Sequence, residues 1–416
     1  MPTITPFRAI RPRRDLAHRI AALPYDVYDR EEAQRIVSRE PLSFLRIDRA
    51  ETTLPPEVDQ YDPQVYTQAR ALLDEMMVKG DFLREARDCY YIYELTMDGH
   101  VQSGIVACSQ VADYQNDIIK KHEETRPDKL KDRINHINAT DAHTGPIFLT
   151  YRAQAEIDGI VDAQKTAAPE YDFHSEDGVR HRVWVVDGAH GIRSICTAFA
   201  QVPLSYIADG HHRTASAVGV GLRRRAQNPH HLGNEEYMRF LSVLFPHDQL
   251  KIMPYNRVVA DLCKHSVDEF VATVKKQGFL LEYVGKAPVA PEKKGIFGMY
   301  LDNGWYRLQA TDRLYGNGIL NRLDVSILQN HLLGPVLNIG DPRTDRRLEC
   351  VGGIRGLSEL ERKVSGNVAF SLYPTAMDEL LGVADAGLLM PPKSTWFEPK
   401  LRSGLFIHAL DGSCLK

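Results

Sequence analysis

The stretch Tyr206-Ile207-Ala208-Asp209-Gly210-His211-His212-Arg213-Thr214-Ala215-Ser216-Ala217 carries more structural and chemical information than any other part of the chain. A β-forming run ends at Asp209-Gly210, after which Ala215, Val218 and Leu222 repeat at helical spacing, so the chain runs strand, turn, helix. Arg223, Arg224 and Arg225 close the predicted helix, where cations complement its dipole. The other end presents His211, His212 and Arg213 beside free backbone N–H groups, an arrangement suited to phosphate. Asp209 has the chemistry to orient a histidine, take a proton from a substrate, or hold Mg2+ that bridges phosphates. The competing reading makes Asp209 a helix cap, with the histidines packed or facing solvent.

Outward from this motif, helical and strand patterns alternate from end to end, which predicts a mixed α/β or α+β protein. Asp29 and Glu32 form a capping-box variant ahead of a helix to about 39, and apolar spacing predicts another helix over 63–79, closed by Gly80. Asp98-Gly99 marks a hairpin between 89–95 and 101–111, and further hairpins are expected at Glu176-Asp177-Gly178 and Asp302-Asn303-Gly304. Helices are expected over 128–142, 192–200, 267–276, 324–333 and 376–381, and strands over 147–151, 204–208, 241–245 and 257–260. No repeat or long linker marks a border. The chain is read as one large elaborated unit or two intimately packed lobes, tentatively 1–150 and 151–416, the second carrying the motif.

Length and charge narrow the partners. The 416 residues hold 51 Lys plus Arg against 55 Asp plus Glu, a net charge of −4, so no global field favours nucleic acid or anionic lipid. No stretch approaches the ~18 apolar residues that a membrane span needs. The six cysteines, at 89, 108, 196, 263, 350 and 414, contain no C-x-x-C pair, which predicts reduced thiols and a cytoplasmic location.

Asp209-Gly210-His211-His212-Arg213 resembles the Gly-x-His-Arg motif of the ParB/sulfiredoxin-like superfamily, in the form seen in free L-serine kinases. In sulfiredoxins the residue after the glycine is the catalytic cysteine; here it is His211, which argues against sulfinic acid reduction. The chain also resembles the domain of unknown function 1015 family. That resemblance rests on Pro24-Tyr25-Asp26-Val27, Lys121-His122-Glu123-Glu124-Thr125, the motif itself, and Met390-Pro391-Pro392-Lys393-Ser394-Thr395-Trp396-Phe397 with Pro399-Lys400. It implies a ParB/sulfiredoxin-like core elaborated by additional hairpins and helices.

Two other segments supply chemistry. Lys121, His122 and Arg126 have the charge to neutralise transferred phosphate oxygens, with Glu123 or Glu124 as base toward a substrate hydroxyl. Arg126 stands where a zincin would need histidine, so that metal motif fails on spacing. Pro391 and Pro392 remove the amides of a P-loop, yet Lys393, Ser394, Thr395 and Lys400 can present donors to an anion. Tyr25 and Asp26 are candidates for a substrate ammonium group, whereas His136, His143, His174, His181 and His190 lack metal-like spacing and are read as structural or exposed.

Together these readings predict a small-molecule phosphotransferase, most concretely a kinase that makes O-phosphoserine from free L-serine. The donor is pyrophosphate, ATP or ADP, and Mg2+ is expected. Asp209, Glu123 and His212 are the catalytic candidates; His211, His212, Arg213, Lys121, His122, Arg126, Lys393, Ser394 and Lys400 the phosphate ligands; and Asp209 the metal ligand. The alternatives are a nucleotide-binding regulator of the ParB-like superfamily and a phosphatase.

Overall fold

The computed structural model describes residues 1–364 and 367–410, so Cys414 lies outside the described residues. The chain divides into two compact units: Met1–Lys121, Thr125–Leu250 and Pro399–Lys416 form the first, His122–Glu124 and Lys251–Glu398 the second. Residue 150, the tentative border, falls inside the strand Ile147–Tyr151, in the middle of the first unit's sheet. A sheet recruits strands from distant parts of the chain, so no change of composition marks where a unit ends.

The fold is mixed α/β. In the first unit a nine-stranded sheet runs in the order Ile119–Lys120, Ser205–Asp209, Ile147–Tyr151, Arg239–Pro246, His100–Gln110, Tyr90–Met97, Arg180–Val186, Tyr171–His174, with Ile4–Thr5 also paired to His100–Gln110. Two pairings are parallel, Ser205–Asp209 with Ile119–Lys120 and Arg239–Pro246 with Ile147–Tyr151; the others are antiparallel. The hairpin at Asp98-Gly99 turns with φ of 50° and 78°, the left-handed pair that matches the twist of its strands. Asp29 and Glu32 make the expected reciprocal cap on Arg30–Arg39, and Asp62 with Pro63 starts Pro63–Val78.

The motif strand and helix are anchored in the first unit's main core. Ile207, Ala217, Val218 and Val220 pack there with Ile147, Leu149, Phe240 and Leu244. Burial of each large aliphatic side chain is worth about 1.5–3 kcal/mol, which fixes the motif's position before any ligand arrives. Gly221 is required in the motif helix because a Cβ there would lie 2.4 Å from the carbonyl oxygen of Tyr237.

The second unit is built on a six-stranded antiparallel sheet in the order Phe279–Gly285, Gly304–Ala310, Ile296–Leu301, Val368–Ser371, Tyr255–Val259, Leu348–Gly352. The helix expected over 324–333 changes pitch partway: Asp324–Leu328 is α-helical and Gln329–Leu333 is a π-turn, closed by Gly334 N donating to Gln329 O at 2.9 Å. Ala155–Gln164 is a helix that apolar spacing does not announce, because Ile157 and Val161 alone are buried and Gly159 sits between them. Among the described residues no helix is long and apolar enough to cross a membrane.

Candidate functional site

A bulge prepares the motif. Ile207 pairs with Leu149 and Asp209 with Phe148, leaving Ala208 as the extra residue, and the strand bends as it reaches Asp209. Gly210 then takes φ of 96° and is itself the helix N-cap, with no side chain capping the helix that follows, His211–Gln227. Asp209 is therefore not the cap. Its Oδ1 accepts from Gly210 N at 2.9 Å and its Oδ2 from Lys400 Nζ at 2.9 Å, while the Arg213 guanidinium lies 3.8 Å from Oδ2.

A second reason for glycine at 210 is the Arg213 side chain. A Cβ at 210 would come within 3.1 Å of both Nε and a terminal nitrogen of Arg213, which folds back over the helix start and donates to the Pro146 carbonyl. Burial opposes the charge on Asp209, but Lys400, Arg213 and His211 outweigh it and hold the carboxyl well below the usual range. The carboxylate stays ionised at every physiological pH with 31% of its side chain exposed.

The two histidines differ. His211 is buried, whereas His212 is half-buried and its Nε2 accepts from the backbone N–H of Arg126 at 2.9 Å, which puts any proton of a neutral ring on Nδ1. His212 thus ties the motif to the start of the helix Pro127–Thr140.

The first unit also brings Tyr25 and Arg213 into one cavity of about 30 Å³, with Asp48, Arg133, His136 and His143 on its walls. That volume holds a water or two, or the charged head of a small ligand. The Arg133 guanidinium stacks on the Tyr25 ring with Cζ 4.0 Å from the centroid and pairs with Asp132 at 2.9 Å. Burial pushes the Tyr25 hydroxyl well up, so it remains a neutral donor. Asp26, its neighbour, is exposed and does not line the cavity.

In the second unit His122 is 1% exposed, its Nε2 lies 3.4 Å from Thr395 Oγ1, and its carbonyl accepts from Met390 N at 2.7 Å. Glu123 and Glu124 line a cleft of about 590 Å³ with Met390, Pro391 and Pro392, and Glu124 pairs with Arg343. Lys393 is exposed, held at φ of 60° by Arg257, which donates to its carbonyl at 3.0 Å; its Nζ lies 5.8 Å from the Tyr255 ring centroid. The Ser394 hydroxyl donates to the Pro391 carbonyl, so its proton is spent inside the loop.

The candidate residues fall in both units. Tyr25, Asp26, Lys121, Arg126, Asp209, His211, His212, Arg213 and Lys400 belong to the first; His122, Glu123, Lys393 and Ser394 to the second. Lys121 is exposed with Nζ 5.7 Å from the Tyr114 centroid, and Arg126 is exposed and paired with Asp128 at 2.9 Å. Sequence reasoning missed Asp48, Arg133 and His143 as cavity residues. No spacing relates them to Tyr25 or Arg213, so the sequence held no signal for them.

These features define a mixed α/β protein with a strand–turn–helix motif over 209–213. The family described as protein of unknown function, DUF1015, matches residues 4–326, and the chain belongs to it. No curated protein matches the chain. Among solved structures it is similar to a free serine kinase in complex with ADP, at 15% identity over 70% of this chain and 90% of that one, with a TM-score of 0.35. It is also similar to SbnI from Staphylococcus aureus, at 14% identity over 74% and 90% with a TM-score of 0.40. A conserved hypothetical protein from Pyrococcus furiosus is similar at 14% identity over 70% and 91%, with a TM-score of 0.35.

Proposed function

We propose that the protein is a small-molecule phosphotransferase that places phosphate on the hydroxyl of free L-serine, with pyrophosphate or an adenine nucleotide as donor. The observation that carries this reading is the Asp209 carboxylate, half-exposed and ionised between Lys400 and Arg213 at the foot of an uncapped helix. Phosphoryl transfer needs little covalent help from a protein: cations to gather the phosphate, a base and correct placement suffice. Arg213, Lys400 and the first-turn N–H groups supply the anion cradle. The carboxylate holds Lys400 and Arg213 beside the helix start.

Mg2+ fits the donor set. It commonly takes one or two carboxylates and completes its shell with phosphate oxygens and water, and Asp209 is a permanently ionised carboxylate with an exposed face. Asp209 would hold the ion, which would neutralise charge on the transferred group. Glu123 is the assigned base toward the acceptor hydroxyl, and Lys121, His122, Arg126 and Lys393 the auxiliary cations and donors.

The test is phosphorus NMR of the purified protein with Mg2+ and L-serine and, in turn, pyrophosphate, ATP or ADP. O-phosphoserine is expected with one donor, and Glu123→Gln should lower its formation by about 10²–10⁴-fold. A protein that consumes no donor in any combination is not a kinase; ligand-dependent thermal stabilisation without turnover would mark a nucleotide-binding regulator.

A further inference from the structure

Tyr255 opens the strand Tyr255–Val259 of the second unit and is 8% exposed. Its ring is clamped: the Trp396 ring meets it edge-on at 5.2 Å, Arg257 Cζ lies 5.7 Å from its centroid, and Lys393 Nζ lies 5.8 Å away. A buried tyrosine ordinarily gives its hydroxyl a hydrogen-bond partner. The Tyr255 hydroxyl has none among the described residues, and its oxygen is not sealed off from solvent. Packing against Trp396 uses only the ring, which phenylalanine would supply equally, so the fold leaves the hydroxyl unspent.

Hydrogen bonds fix what surrounds it. The buried Arg257 guanidinium donates to the carbonyls of Tyr255, Pro392 and Lys393 at 2.9, 3.4 and 3.0 Å, and so ties the loop that carries Lys393 to the strand that carries Tyr255. Met390 N donates to the His122 carbonyl at 2.7 Å and ties the same loop to the segment that carries Glu123. Burial holds the Tyr255 hydroxyl above the usual tyrosine value; Lys393 pulls it down, Cys350 adds to the rise, Arg257 opposes it and Glu123 adds again. An ammonium and a carboxylate thus both lie within electrostatic reach of the hydroxyl, which stays a protonated donor at neutral pH.

We propose that Tyr255 is a catalytic residue whose hydroxyl donates a hydrogen bond to an oxygen of the transferred phosphoryl group, in the company of Lys393 and Glu123. This inference rests on the phosphotransferase reading and adds a residue to its machinery. In the transfer the serine oxygen forms a bond to phosphorus as the bond from phosphorus to the donor's bridging oxygen breaks. That electron pair leaves with the rest of the donor, and the serine proton passes to Glu123. Negative charge is spread over the phosphoryl oxygens in the transition state, and a fixed O–H aimed at one of them stabilises it while keeping its own proton. Lys393 supplies charge on a flexible stem; Tyr255, clamped by Trp396 and Arg257, supplies direction.

The test is Tyr255→Phe, which removes the hydroxyl and keeps the ring. Phosphorus NMR with Mg2+, L-serine and pyrophosphate, ATP or ADP should show kcat lowered about 10²-fold, with KM for L-serine little changed and the melting midpoint unaltered. Parental turnover by the variant overturns the inference and leaves the phosphotransferase reading standing. If the phenylalanine variant does not fold, Tyr255→3,5-difluorotyrosine retains ring and hydroxyl but ionises at lower pH. The alkaline limb of kcat should then move to lower pH, which a purely structural tyrosine would not cause, and an unmoved limb overturns the inference. A parent protein that consumes no donor removes the phosphotransferase reading and this inference with it.

Discussion

Lys400 Nζ donates to Asp209 Oδ2 at 2.9 Å, joining residues that lie 191 apart in sequence. The pair closes the C-terminal segment onto the motif strand and keeps a cation beside the helix start. Asp209→Asn leaves Lys400 and Arg213 facing each other without the carboxylate. Stability should fall by about 1–3 kcal/mol, between the values for exposed and buried pairs, and turnover by orders of magnitude. Denaturant melts and phosphorus NMR read the two effects. Lys400→Met should lower affinity for inorganic pyrophosphate, measured by titration calorimetry; unchanged affinity removes Lys400 from the cradle.

Gly210→Ala tests the helix start. The left-handed φ costs an alanine about 1–2 kcal/mol, and the new Cβ meets the Arg213 guanidinium, so Arg213 must leave its place. Stability and pyrophosphate binding should therefore drop together. A variant that loses stability yet binds pyrophosphate as the parent does shows that Arg213 is not a ligand.

Lys393 is a non-glycine residue in the left-handed region, a conformation that stores about 1 kcal/mol and is tolerated where a side chain must be placed. Lys393→Gly should leave the denaturation midpoint unchanged or slightly raised while weakening donor binding. A clear loss of stability would instead mark the contact with Tyr255 as a structural anchor.

The pH dependence of stability should carry the signature of Asp324. Burial pushes its carboxyl up to about 7, against the opposing effects of the Gly295 N–H and Lys294, and Glu379 adds to the rise. A raised folded value means that its contribution is complete below the unfolded value of about 3.9 and is lost as pH rises to about 7. Stability should fall with pH across that window and then level. Asp324→Asn should flatten the slope and be more stable than the parent at pH 8, as read by melts from pH 4 to 8; an unchanged slope assigns the dependence elsewhere. Asp209 acts oppositely. Its lowered value means that stability is present above about pH 4 and lost only in stronger acid.

Local chemistry made much of the fold legible. Asp29 with Glu32 and Asp98-Gly99 each state a cap or turn whose physics is complete within a few residues, the apolar spacing over 63–79 states a helix, and the elements stand where those signals put them. The π-turn after Leu328 was not legible, because its pitch depends on what the helix packs against, and periodicity reads only the buried face.

By itself the sequence determined that a strand, a glycine turn and a helix would follow one another at Asp209-Gly210 and that an acid, two imidazoles and a guanidinium would meet a helix start. Those residues are consecutive, so backbone geometry alone assembles them. Only the tertiary structure decided that Lys400 neutralises Asp209, that His212 is committed to the Arg126 amide, and that Tyr25, Asp48, Arg133 and His143 share a cavity with Arg213. These partners are remote in the chain, and what unites them is the pairing of strands and the burial of apolar faces. No local pattern encodes that pairing.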